Sequence, residues 1–424
     1  MEYLLFAGYL ILFSWLVTKT RFFTSSGLSK PQLIIIFLLK IIIGIFYGWM
    51  GIYYAGFAQM LDTWSNHHNG LIEYQLLGDD PKEYFTNLFN NPYEKGIQNL
   101  FGATGSYWND LKGNVFYKVL SIFDVFSFGH YLVNVIFYSF ITLFGPVAVY
   151  KVMNDVFPGK RISVLLAVFL IPSFFYWSSG VAREGLIFVG ISLILYHIYF
   201  GNKEKKFSIK RITGVLLGLL ILLFFRNFLI AIAIPAIIAW LIANRFSKYP
   251  LLCFIAVYSF FGVLFFTVRY IDQRLDFPKA VVERQQAFIQ IKGNSSIPIK
   301  ELKPNAVSFL VNMPQAITLS AVRPYPNDIK HILSLAAGLE IGLLLFFFIV
   351  FLIWRRKGLL FHSKPVAYFC LFFSISVLLG IGFSVNNLGA IVRYRSIVFP
   401  LLIVFIVAQI DWLKIKDLAK NIKK

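Results

Sequence analysis

The chain of 424 residues is 58% hydrophobic and only 14% charged, with 47 phenylalanines and a mean hydropathy of +0.71. No soluble domain of this size needs so much apolar surface, so composition selects lipid as the solvent and predicts an all-α, polytopic transmembrane bundle. The formal charge of +20 would suggest nucleic acid in a soluble chain; in a membrane chain, basic cytoplasmic loops account for it and no nucleic-acid partner is expected.

The N-terminal run "MEYLLFAGYLILFSWLVTKTR" is apolar from residue 3, and its basic residues follow the run. A secretory signal has the opposite order, so this reads as an uncleaved first span with its N-terminus outside. Further apolar runs cover roughly 32–57, 129–151, 162–178, 185–200, 212–225, 228–243, 251–269, 331–354, 365–384 and 396–412. With the first run at 3–18, about eleven spans are expected by the hydropathy criterion, forming one integral membrane domain over 1–424. Counting from an outside N-terminus, each short inside loop is basic: Lys19, Arg21 and Lys30, then Lys160 and Arg161, then Lys203 through Arg211. Arg245 with Lys248, Arg355 through Lys364, and the tail "KIKDLAKNIKK" complete the pattern. The C-terminus is therefore expected in the cytoplasm.

Two outside segments are long, 58–128 and 270–330. Phe85, Leu88, Phe89, Tyr93, Ile97, Leu100 and Phe101 in the first, and Val282, Gln285, Phe288 and Ile289 in the second, recur at helical spacing. Such stripes predict short amphipathic helices on the membrane surface. The run 305–322 is apolar enough to dip into the bilayer, with Pro314 breaking it. Cys253 and Cys370 both lie in apolar runs and read as core thiols, with no disulfide and no metal site expected.

Within the first long segment, "AGFAQMLDTWSNHHNGLIEY" places Asp62 just beyond the second span, followed by Trp64, His67, His68 and Glu73. A carboxylate near the bilayer surface is placed to take a proton from a sugar hydroxyl, and aromatic and amide neighbours suit a sugar ring. The alternative is that Asp62 caps a helix. His67 and His68 are adjacent, about 100° apart on a helix, and make no two-His metal face.

Arginine then marks four outside turns where the charge rule would not put it: Arg183, Arg226, Arg323, and the pair Arg393 and Arg395. Arginine grips phosphate bidentately and tolerates partial burial, so the set reads as a phosphate site at the outer leaflet. Snorkelling to lipid headgroups explains any one of them alone. Arg183 is followed by Glu184 in "SSGVARE", read as an outward-facing turn between two spans; Glu184 is an orienting partner or a second acid beside Asp62. No G-x-S-x-G elbow, phosphate loop, H-E-x-x-H or C-x-x-C motif occurs.

"PSFFYWSSGVAREGLIF" resembles the P-S-x-x-x-W-S-[SG]-G-x-x-[KR]-[DE] segment of bacterial polytopic envelope-polysaccharide proteins. "RPYPNDIKHILSLAAGLE" and "NLGAIVRYRSIVFPLL" resemble their later arginine-bearing segments, and the R-Y-R-x-x-x-x-P ending is similar to that of GT-C-type glycosyltransferases. The chain departs from the GT-C pattern in having an extra span before the Asp-bearing loop and one Asp in place of an acidic pair. The resemblance implies a GT-C-like bundle in a bacterial inner membrane that moves a sugar or oligosaccharide from a polyprenyl-phosphate or pyrophosphate donor to a glycan acceptor. It implies Asp62 and Glu184 as catalytic groups, and Arg183, Arg226, Arg323, Arg393 and Arg395 on the donor phosphate. Trp64, His67, His68, Glu73 and Asn387 fall to the acceptor. No cofactor is required, and a divalent cation such as Mg or Mn could share the phosphate. An oligosaccharide repeat-unit polymerase uses outside arginines equally well. A flippase for an anionic glycolipid would use them as a path, but it would favour charges and broken helices near the midplane, where Glu340 is the main charge.

Overall fold

The computed structural model describes residues 2–53, 62–93, 100–102, 105–291, 295–356 and 364–422, with side chains described as far as 417. Helices account for nearly all of it, and no β-strand is present among the described residues. The helices that matter for the argument are α1 (Glu2–Lys19), α2 (Lys30–Tyr53), α3 (Asp62–Asp79), α4 (Tyr107–Ser127) and α5 (Tyr131–Val156). Then follow α6 (Arg161–Phe169), α7 (Pro172–Ser179), α8 (Arg183–Lys203), α9 (Ile209–Arg226), α10 (Phe228–Arg245) and α11 (Pro250–Thr267). The C-terminal third holds α12 (Phe277–Gln290), α13 (Ala306–Ala321), α14 (Ile332–Trp354), α15 (Lys364–Ser384), α16 (Leu388–Arg395), α17 (Phe399–Gln409) and α18 (Trp412–Ile422).

Among the described residues eight helices are long and apolar enough to cross a membrane, and up to ten spans result if each of two bent pairs counts as one. The eleven expected from hydropathy are not reached. The run 212–225 lies in α9, whose 18 residues include Lys210, Arg211 and Arg226, too many charges for so short a helix to qualify. The bent pairs are α6 with α7, at 55°, and α16 with α17, at 63°. Each bend has a local cause. Pro172 opens α7 and Pro400 sits in the first turn of α17, and a proline at these positions starts a new helix without continuing the old ladder.

Helices α5 and α8 are enclosed, packed through Val135, Ile136, Tyr138, Leu143, Ile187, Ile191 and Leu195. By contrast α1, α11 and α14 present Ile11, Trp15, Phe260, Val263, Leu339 and Phe346 outward, the pattern of a surface solvated by lipid. Phenylalanine fills the inter-helix gaps edge to face: the Phe13 and Phe140 rings are 4.9 Å apart, and those of Phe23 and Phe140 are 5.7 Å apart.

The described parts of the two long segments are largely helical, and Ile97 of the expected stripe lies outside the described residues. In the first, α3 and α4 pack together and Lys118 of α4 reaches Glu73 of α3 at 2.5 Å. In the second, α12 is capped by Asp276, whose Oδ1 accepts the Lys279 amide at 3.0 Å. Helix α13 runs continuously through Pro314, correcting the expected break. It lies so close to α15 that a Cβ on Gly382 would stand 1.9 Å from the Ala316 carbonyl oxygen. Glycine is required there by close backbone approach.

Candidate functional site

The turn "SSGVARE" is buried, not turned out to water. Ser178, Ser179, Val181, Ala182 and Glu184 are all buried, and the turn's carbonyls, which water would otherwise serve, are met by side chains. Lys40 of α2 donates to the Ser178 carbonyl at 2.6 Å, and Thr63 of α3 donates to that of Val181 at 3.2 Å. Tyr138 of α5 donates to the Ala182 carbonyl. Gly180 lies against the Tyr47 ring, where a Cβ would stand 2.3 Å from Cδ1. Three helices thus hold the turn, and it delivers Glu184 into the interior at the start of α8.

Glu184 does not pair with its neighbour Arg183. Its Oε1 accepts from Arg226 Nη2 at 2.9 Å and makes an ion pair with Arg393 Nε at 2.7 Å. Side-chain exposure is 0% for Glu184, 10% for Arg226 and 12% for Arg393. A buried carboxylate persists only where it is paired, and here one carboxylate serves two guanidiniums. Its second oxygen, Oε2, has no hydrogen-bond partner among the described residues. Arg393 then turns its Nη1 to Asp62 Oδ2 at 2.5 Å. Asp62 opens α3 and its side chain is 58% exposed. Trp177 of α7 faces the Arg393 guanidinium, with 5.3 Å from Cζ to the ring centroid, a cation–π contact that holds the cation's plane.

The Asp62–Arg393 pair lines a cavity of about 800 Å³. The walls are mostly apolar: Ile43 and Phe46 of α2, Phe175 of α7, and Leu333 and Ala337 of α14. Tyr47, Trp177, Asn387 and Tyr394 also line it. Glu340 lies among the lining residues away from Asp62, where it accepts the Ser173 amide at 2.5 Å and the Ser173 hydroxyl at 2.7 Å. Glu340 and Lys40 therefore occupy the two ends of α7, anion at its N-terminus and cation at its C-terminus, as the helix dipole favours.

The remaining expected site residues divide. Arg183, half-buried at the head of α8, has no ion-pair partner among the described residues. Arg323 pairs with Asp328 at 3.6 Å and stacks on Tyr325. Arg395 is fully buried and donates Nη1 to the carbonyls of Ser320, at 3.1 Å, and Arg323. Neither Arg323 nor Arg395 contacts Glu184 or lines the cavity; Arg395 ties the end of α13 to α16. Asn387 does line the cavity, but its Oδ1 caps α16 through the Ala390 amide at 3.1 Å and accepts from Ser295 at 3.1 Å. Trp64 stacks on Tyr131 at 4.2 Å and donates to the Gly48 carbonyl at 2.8 Å. His67 is buried edge-on to the same ring at 5.4 Å, and burial pushes its pKa down to about 4, helped by the His68 charge and opposed by a backbone bond to Gly129. His68 is exposed. Glu73 is engaged by Lys118 and by Asn87 at 3.3 Å. These contacts make Trp64, His67 and Glu73 the fastening of α3, and α3 carries Asp62.

Trp177, Tyr47, Lys40 and Glu340 were not assigned to the site by sequence reasoning. Trp177 stands inside the quoted W-S-S-G motif, one signal that could have found it; Lys40, the one charge in the interior of an apolar helix that Lys30 opens, is another. Among the described residues no cluster of three His, Cys, Asp or Glu side chains could hold a metal ion. Comparison of the chain with family models, curated proteins and solved structures gives no match.

Proposed function

We propose that this chain is a membrane-embedded, inverting glycosyltransferase of GT-C-like architecture. It moves a sugar or oligosaccharide from a polyprenyl-phosphate or pyrophosphate donor to a glycan acceptor at the outer face of a bacterial inner membrane. One observation carries the reading: a carboxylate and an arginine in contact, Asp62 and Arg393, both lining a mostly apolar cavity. Apolar walls suit the polyprenyl chain, and the pair suits the group where the chain ends. In this reading the donor phosphate takes the Arg393 fork and frees Asp62 from it. Asp62 then accepts the proton of the acceptor hydroxyl as the new glycosidic bond forms. The bond from sugar to phosphate breaks, and Arg393, held by Glu184 and Trp177, takes up the negative charge of the departing phosphate. An eleventh span through α9, an outside N-terminus and a cytoplasmic C-terminus belong to the same proposal, as does a divalent cation, Mg or Mn, sharing the phosphate.

The test is transfer from a synthetic polyprenyl-linked donor by the purified chain in lipid nanodiscs. Loss of transfer on Asp62→Asn and on Arg393→Ala, with the fold intact, supports the reading; full activity in both sinks it. Repeat-unit polymerase is the same chemistry with an oligosaccharide donor, and product length separates the two. A second class, a flippase for an anionic glycolipid, draws on the broken spans α6–α7 and α16–α17, both of which contribute to the cavity lining. Vesicles that move a labelled glycolipid between leaflets with no acceptor present would favour it.

A further inference from the structure

Beyond the Glu184 network lies a second group of cations that the mechanism above does not use. Tyr394 lines the cavity, and Arg226 stacks on its ring at 4.1 Å without itself reaching the cavity. Two residues after Arg226, the ring of Phe228 lies 5.0 Å from the guanidinium of Arg284 on α12. Phe225, just before Arg226, meets Phe116 at 6.1 Å, and Phe116 is one helical turn from Lys112 on α4. Arg183 adjoins Glu184, the partner of Arg226. Lys112, Arg183, Arg226 and Arg284 therefore gather from four helices, and none of them lines the cavity.

The charges do not balance. Among the described residues neither Arg183 nor Arg284 has a carboxylate within ion-pair distance, and buried Lys112 has only the Asn109 side-chain oxygen at 3.3 Å. Glu184 is already shared by Arg226 and Arg393, and Asp110 accepts the Tyr93 hydroxyl at 2.9 Å. Like charges confined in a low dielectric repel strongly, and an anion between them removes the repulsion. Three guanidinium forks match an oxyanion in shape as well as in charge. Two of the four contributing helices, α4 and α12, come from the long segments and not from the apolar spans.

We propose that Lys112, Arg183, Arg226 and Arg284 form an oxyanion site for an acidic sugar, a carboxylate or phosphate ester carried by the glycan that stays outside the cavity. The assignment to a glycan rests on the transferase reading; the anion site itself does not.

The full chain in nanodiscs is titrated by calorimetry with glucuronate, glucose 6-phosphate, glucose and inorganic phosphate. The two acidic sugars bind and glucose does not. Arg284→Gln and, separately, Lys112→Met weaken the acidic sugars by about tenfold or more, the cost of one charge-assisted hydrogen bond. Asp62→Asn leaves that binding in place while transfer is lost. Equal binding of glucose, or unchanged affinity in both folded variants, overturns the site. Binding of inorganic phosphate with neither acidic sugar overturns the glycan assignment. Absence of transfer by the native chain beside acidic-sugar binding overturns the transferase reading and leaves the anion site standing.

Discussion

Arg393 and Glu184 meet at 2.7 Å in the interior of the bundle, joined from a helix near the C-terminus to the turn that opens α8. The exposed partner of Arg393 is Asp62, at 2.5 Å. These two carboxylates answer differently to removal. Glu184→Gln leaves two buried guanidiniums without their anion, and a loss of about 3–5 kcal/mol is expected. Asp62→Asn breaks a solvent-screened pair worth about 1 kcal/mol or less, yet lowers transfer by about 10²–10⁴-fold as loss of a general base. Thermal unfolding in detergent beside a transfer assay separates the two effects.

Acidic-sugar binding at the second cation group is expected to weaken as pH rises. Lys112 is pushed down to about 7, first by burial, then by Arg284, Arg183 and Arg226, with Asp110 opposing. It therefore loses its charge as pH rises through the neutral range. A bound anion favours the charged form, so affinity is greatest below pH 7 and falls above it, with the midpoint shifted upward by the ligand. Calorimetry from pH 6 to 9 should show the decline in the native chain and a flat profile in Lys112→Met.

Acid should loosen α3 through His67. Its folded-state pKa is depressed from 6.5 to about 4, so between those values the unfolded chain binds the extra proton. The contribution is whole above pH 6.5 and is lost as pH falls towards 4. Asp124, raised from 3.8 to about 6 by burial against bonds from Asn134 and Ser127, works in the opposite direction over much of the same range. Replacing His67 by Phe should flatten the fall in unfolding temperature between pH 6.5 and 4.5; an unchanged slope would place the acid sensitivity elsewhere.

Gly180 permits the turn that positions Glu184. A Cβ there would overlap the Tyr47 ring at 2.3 Å, and both residues are buried. Gly180→Ala is expected to cost about 1–3 kcal/mol by overpacking. Tyr47→Leu in the same chain should recover part of that, giving a double-mutant cycle with a coupling of about 0.5 kcal/mol or more.

Hydropathy made the spans legible because an uninterrupted apolar helix is a local property of sequence. The bend after Phe169 was signalled by Pro172, but a run counted only by mean hydropathy conceals it. The turn 178–184 was misplaced for a different reason. A charge pair between two apolar runs reads as a surface turn when its partners are unknown, and those of Glu184 arrive from Arg226 and Arg393. The same blindness grouped the arginines wrongly: Arg393 and Arg395 are two residues apart, yet one faces the cavity and the other holds backbone carbonyls. Arg284 was passed over because it sits within the stripe Val282, Gln285, Phe288 and Ile289, and Lys112 because a lysine in a long outside segment reads as a solvated charge.

Helix α7 has eight residues, too few to be stable alone, and it is pinned at both ends. Glu340 holds the Ser173 amide and hydroxyl, and Lys40 holds the Ser178 carbonyl. Sliding the helix by one residue, about 1.5 Å, would strip both contacts at once. Both anchors therefore resist a shift of this wall of the cavity, and under the proposed function the width offered to a polyprenyl chain would be set by helix packing before the chain enters.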